Sequence, residues 1–383
     1  MPAPLPGPIS VPLSRSPGDE HHIYQLDGWR GFSILCVLAG HMLPLGPKSV
    51  GLNPQVAEMG MAIFFTLSGY LITSILRERP DPKAFLIRRL CRILPLAYLY
   101  MAVVLTLVGA SSATWVAQYL FTVNYEYQHL LPITGQLWSL CVEVHFYLVV
   151  ALLVAVGGRA ALWLLPPLCL AVTINRVATG VPVSIMTHLR VDEILTGACL
   201  ALARPASSAA PALPWLGRIH PLLWAVPLFL ASGPVGGPLS GPVGGPLQYG
   251  RPYFAALMVG SSLVCRRDRF IRTLGHPLLV YVATISYALY VIHPAVYWGW
   301  MNEGSSAVRY GLKRPISFLV LFVLAHLSTK YYEAFWIRLG KRLTSRRKPV
   351  AVPKGGATSD DASEARHAES RSAGSAVPPI NAS

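Results

Sequence analysis

Apolar residues fill this chain in long runs, separated by short polar or basic stretches, and that pattern predicts helices rather than strands. The runs are roughly 15 to 25 residues long, the length at which a helix crosses the hydrocarbon of a bilayer. About ten such helices are expected, at about 24–46, 56–76, 93–110, 136–156, 160–179, 189–203, 220–232, 251–265, 277–300 and 315–337. Together they make an all-α, polytopic transmembrane bundle over residues 23–340. Pro44, Gly46 and Pro47 end the first helix, and Pro95 is expected at the start of the third, where its missing N–H does no harm. The Pro-rich segment 1–22 and the Ser/Ala/Gly-rich segment 341–383 read as disordered tails. A near-exact octapeptide repeat at 233–248, GlyProValGlyGlyProLeuSer then GlyProValGlyGlyProLeuGln, reads as a flexible external loop.

The basic residues orient this bundle. Clusters at 77–92, 266–272 and 338–348 fall on one side, while 111–135 and 233–250 carry no Lys or Arg. Cytoplasmic loops are the ones enriched in Lys and Arg, so both termini are expected in the cytoplasm and the chain in a bacterial inner (plasma) membrane. Arg309, Lys313 and Arg314 are the exception, falling in an external loop. The net charge of +15 does not alter this picture. Its residues sit between apolar runs, which excludes nucleic acid as a partner and leaves membrane lipids. Charged residues are 13% of the chain, about half the share of a soluble domain. Six cysteines are scattered singly without a CxxC pair, so neither a metal site nor a disulfide framework is expected. No cleavable signal is evident.

Ionisable residues inside the apolar runs are the candidates for chemistry, because a charge at membrane depth is costly and usually faces protein or a wet cavity. Arg30 and His41 are eleven residues apart, which returns to nearly the same helix face about 16 Å along the axis. One face therefore carries a fixed cation near one surface and a titratable base further in. A snorkelling arginine with a structural histidine is the alternative. Arg88, Arg89 and Arg92 form a guanidinium cluster suited to polyanionic phosphates, or to lipid headgroups as a topology signal. In the fourth helix Gln136, Ser139 and Glu143 fall on one face, and Glu143 needs a cation or a proton. His145 points away from it. Ser68 and Gly69 read as a small-residue packing site. Arg190, Asp192 and Glu193 read as a polar cluster at the outer end of the bundle. His293-Pro294 and Glu333 are further intramembrane or interfacial polar groups, and lone helical histidines, His188 and His326 among them, are expected to be structural.

Taken in order, these residues resemble the acyltransferase-3 family of membrane acyltransferases, the bacterial O-acetyltransferase type. The resemblance runs through Arg30 and His41, PhePheThrLeuSerGlyTyrLeu at 64–71 and Arg88-Arg89-x-x-Arg92-x-x-Pro95. It continues with GlnLeuTrpSerLeuCysValGluVal from 136, ArgValAspGluIleLeuThrGly at 190–197, IleSerTyrAlaLeuTyrValIleHisPro at 285–294 and Glu333. The family's fourth helix usually reads Trp-Ser-Leu-Ser-Val-Glu-Glu-Gln-Phe-Tyr; here Cys141, Val144 and His145 replace the second Ser, the second Glu and the Gln. The resemblance implies transfer of an acyl group, usually acetyl, from cytoplasmic acyl-CoA to a hydroxyl of a cell-surface or lipid-linked glycan. It implies a catalytic set of His41, Arg30 and Glu143, CoA phosphates on Arg88, Arg89 and Arg92, and an acceptor held by Gln136, Trp138 and Ser139. Acetyl-CoA is expected as a co-substrate, with no permanently bound cofactor, and no esterase-like domain is expected after residue 340. A secreted small molecule such as a macrolide is the alternative acceptor. A proton-coupled transporter is the alternative function, although the two halves of the chain lack the similarity expected of inverted repeats.

Overall fold

The computed structural model describes residues 24–204, 214–233, 241–264, 269–301 and 303–345. Among the described residues the regular structure is entirely helical. In order the helices are α1 (Tyr24–Met42), α2 (Leu52–Glu78), α3 (Pro82–Leu107), α4 (Ser112–Tyr119), α5 (Trp138–Gly157), α6 (Leu165–Ala178), the single turn α7 (Thr187–Arg190) and α8 (Asp192–Ala203). They continue with α9 (Pro221–Ala231), α10 (Gly241–Tyr249), α11 (Arg251–Val264), α12 (Arg269–Leu274), α13 (Pro277–Tyr297), the short α14 (Ser306–Val308), α15 (Arg314–Leu327) and α16 (Ala334–Thr344). Among the described residues, five helical stretches are long and apolar enough to cross a membrane: Leu52–Glu78, Pro82–Leu107, Gly135–Ala178, Pro277–Tyr297 and Ser306–Thr344. The expected tails, 1–22 and 341–383, lie outside the described residues except for 341–345.

α1 is too polar for that set, with Asp27, Arg30 and His41 in its 19 residues, and it is shielded by packing against both α2 and α13. It ends at Met42, four residues earlier than expected, so His41 stands in its last turn rather than well inside it. α2 crosses α8 at a point where both backbones need glycine. A Cβ on Gly69 would stand 1.8 Å from the carbonyl oxygen of Ile194, and one on Gly197 would stand 1.9 Å from that of Thr66. Contact that close brings Thr66 Oγ1 to the Glu193 carbonyl and sets the acidic start of α8 beside α2.

Three boundaries differ from the sequence pattern for local reasons. α3 starts at Pro82, capped by the Asp81 carboxylate on the Ala84 N–H, so the arginine cluster lies in the helix and Pro95 lies inside it. The second copy of the Gly/Pro repeat is helical, not a loop. Pro242 falls in its first turn, where no N–H is required, and Gln248 Nε2 ties its end to the Gly233 carbonyl. The first copy lies largely outside the described residues. Finally, wider π-helical turns precede the last apolar run at Arg309–Lys313 and interrupt it at Ser328–Glu333.

Candidate functional site

The site begins with a proline. In α13 the carbonyl of Tyr290 would ordinarily accept from the N–H four residues on, but that residue is Pro294, which has none. The ring of His293 takes the free carbonyl instead, with Nδ1 2.7 Å from Tyr290 O. A carbonyl only accepts, so Nδ1 carries the proton and the neutral ring presents a lone pair at Nε2. Nε2 faces His41 Nδ1 at 3.1 Å, which makes His41 Nδ1 the donor and leaves the lone pair of His41 on Nε2. The two rings stack at 15°, centroids 5.1 Å apart. His293 is fully buried, whereas His41 is exposed. His41 opens on a cavity of about 200 Å³ shared with Glu58, Gln136, Trp138, Tyr290 and Tyr297.

The start of α5 forms one wall. Gln136 Nε2 donates to the Val291 carbonyl at 2.9 Å, and the Tyr290 hydroxyl donates to the Gln136 carbonyl. Ser139 Oγ lies 2.5 Å from the Tyr290 hydroxyl, so this serine clamps α5 to α13 and does not line the cavity. Trp138 does line it, while the Arg190 guanidinium covers its ring at 5.0 Å from the centroid.

Behind that arginine lies a buried ion network. Arg190 Nη2 meets Glu58 Oε2 at 2.6 Å, and Arg251 Nη1 approaches the same oxygen at 3.3 Å. Glu193 bridges the same two arginines, with Oε1 2.7 Å from Arg251 Nε and Oε2 3.3 Å from Arg190 Nε. Two carboxylates and two guanidiniums cancel, which makes their burial tolerable; removing any one would strand a charge. Asp192 pairs separately with Arg176 at 2.5 Å.

The remaining sequence candidates gather at the other end of α1. Glu143 Oε1 accepts from Ser68 Oγ and from the Tyr147 hydroxyl, each at 2.5 Å. It lies in electrostatic range of Arg30 and Arg92, and Arg30 also feels Arg89 and Asp27. Arg30 and Glu143 therefore belong together, about 16 Å along α1 from His41, and the three do not converge on one point. The arginine cluster also divides. Arg89 and Arg92 turn toward Arg30, whereas the exposed Arg88 bonds Thr344 Oγ1 at 2.6 Å through its Nε. His145 bonds Thr187 at 2.7 Å, away from both ends.

Two residues of the site went unrecognised in the sequence. His293 stands out in the sequence only as an intramembrane or interfacial polar group, and its neighbour Pro294 is the available signal. Glu58 carried no signal, because its partners come from α7 and α11.

With this geometry in view, comparison with known proteins is informative. The family model described as an acyltransferase domain matches residues 23–329. The chain belongs to the acyltransferase-3 family. Among its relatives, YrhL of Bacillus subtilis, a candidate peptidoglycan O-acetyltransferase, is 32% identical over 49% of this chain and 34% of its own length. The peptidoglycan O-acetyltransferase OatA of Listeria monocytogenes is 26% identical over 50% of this chain and 36% of its own. Nodulation protein 10 of Rhizobium leguminosarum is 30% identical over 37% and 48%. The chain thus spans between about a third and a half of the length of these curated relatives. No solved structure matches it significantly.

Proposed function

We propose that this protein is a membrane O-acyltransferase that moves an acetyl group from acetyl-CoA on the cytoplasmic side to a hydroxyl of a glycan on the other side. The observation that carries the reading is the His41–His293 pair, which aims an unprotonated imidazole nitrogen into a cavity. Family membership and relatives named as O-acetyltransferases support it, and two of them point to peptidoglycan as the kind of acceptor.

The chemistry follows from the tautomer. His41 Nε2 takes the proton of the acceptor hydroxyl as its oxygen attacks the thioester carbonyl. The tetrahedral intermediate collapses, the C–S bond breaks, and the departing thiolate recovers the proton from His41. His293 takes no proton; it fixes the ring that does. Arg30, Arg89 and Arg92 would receive the CoA phosphates by charge-assisted hydrogen bonds. An extended pantetheine arm then spans the interval along α1 to His41. The orientation is the one the basic loops favour, with both termini cytoplasmic in a bacterial inner membrane and the His41 cavity facing outward.

Sealed vesicles of known orientation test the arrangement. Acetyl-CoA supplied only on the cytoplasmic side should acetylate glycan confined to the opposite side. Transfer only when both substrates share one compartment would overturn it.

A further inference from the structure

We infer that Glu58 is the acceptor-positioning residue of this site, and that it selects a glycan unit presenting two free hydroxyls close in space, one to His41 and the other to Glu58. The inference rests on the acyl-transfer reading and specifies its substrate class.

Five observations support it. Among the described residues Glu58 is the only carboxylate lining the His41 cavity. Its Oε2 is held by Arg190 and approached by Arg251, while Oε1 has no hydrogen-bond partner among the described residues. The side chain keeps 28% of its surface exposed in an otherwise closed network, so the free oxygen is accessible. The aromatic rings of Trp138, Tyr290 and Tyr297 share the cavity, offering apolar faces to a sugar ring. Its volume, about 200 Å³, is below that of a drug-sized pocket and suits a single ring.

Charge separates the roles of Glu58 and His41. Two guanidiniums against Oε2 favour the ionised carboxylate, which makes it a firm hydrogen-bond acceptor and a poor proton carrier. Because the network is neutral as a whole, the cavity has no excess negative charge to attract a cation. A neutral donor, a hydroxyl, is what Oε1 can take. Held at two points, the acceptor has a defined face toward His41, and the choice between its hydroxyls becomes geometric.

The test compares a peptidoglycan-derived disaccharide with its analogue lacking the free hydroxyl nearest in space to the acetylated one. A site built to bond a substrate hydroxyl rejects the analogue that lacks it, so wild-type kcat/KM should fall about ten- to hundredfold on the deoxy acceptor. In Glu58→Gln the amide oxygen turns to the arginines and its NH2 group faces the cavity. Discrimination between the two acceptors should then fall by about threefold or more, because a neutral amide bonds a hydroxyl more weakly than a carboxylate does. Acceptor KM should rise and donor KM hold, a split that a purely structural role would not give. Equal wild-type rates on the two acceptors overturn the inference, even if Glu58→Gln fails to accumulate. Undiminished discrimination in Glu58→Gln overturns it too. Both outcomes leave acyl transfer itself standing, whereas absence of acceptor-dependent CoA release by the wild type overturns the two readings together.

Discussion

His293 grips His41 across 252 residues of sequence by a single 3.1 Å hydrogen bond, and the carbonyl freed by Pro294 decides which nitrogen carries the proton. The two histidines should therefore respond differently to substitution. His41→Ala removes the base and should lower kcat by about 10²- to 10⁴-fold with normal accumulation in the membrane. His293→Ala removes only the orienting bond and should cost about tenfold. Retention of more than about a tenth of wild-type activity by His41→Ala, against the expected loss, would rule it out as the base.

Pro294→Ala returns an N–H to the helix, and this N–H competes with His293 for the Tyr290 carbonyl. Helix stability should rise, because an interior proline costs about 3 kcal/mol, while kcat falls as His293 loses its fixed tautomer. Thermal unfolding in detergent and turnover should move in opposite directions; a parallel loss of both would show that the proline acts only on the fold.

The divided arginine cluster makes a further distinction. Arg89→Ala or Arg92→Ala should remove a charge-assisted phosphate contact worth about 1.5–3 kcal/mol, raising donor KM about ten- to hundredfold. Arg88, bonded to Thr344 on the exposed side, should change donor KM by no more than about threefold when replaced by alanine, as for a surface contact. Glu143→Gln belongs with the first group and should disturb donor rather than acceptor kinetics. An acceptor KM effect from Glu143→Gln would contradict its placement with Arg30.

Much of this was legible in the sequence because a charge in an apolar run stands out. Arg30, His41 and Glu143 were visible on that ground, and the helix spacing correctly set Arg30 and His41 far apart on α1. The limits have physical causes. Gln136, Ser139 and Glu143 share a face in periodicity, yet they extend over nearly two turns, so the face reaches from the cavity to the arginine end. His293 looks like any other helical histidine until a helix from the start of the chain packs against it. The Gly/Pro repeat has the composition of a loop, and tertiary contacts nonetheless hold its second copy as a helix.

The Gly69–Gly197 crossing predicts a sharp stability effect. Gly69→Ala or Gly197→Ala drives a methyl group into the opposing backbone, which cannot yield as a side chain could. Overpacking of this kind costs about 1–3 kcal/mol, so melting temperature and membrane accumulation should fall. Unchanged melting of both variants would show that α2 and α8 do not meet there.

The ion network also bears on how the protein is made. Glu58 is synthesised with α2 and Glu193 with α8, and the second guanidinium that neutralises them, Arg251, arrives only with α11. Until then a nascent chain holds two carboxylates against Arg190 alone, an arrangement unstable in a low-dielectric interior. The base acquires its orienting partner later still, at residue 293. The chain therefore completes the ion network around Glu58 before it supplies the partner of His41. A chain halted before α11 carries an unbalanced interior.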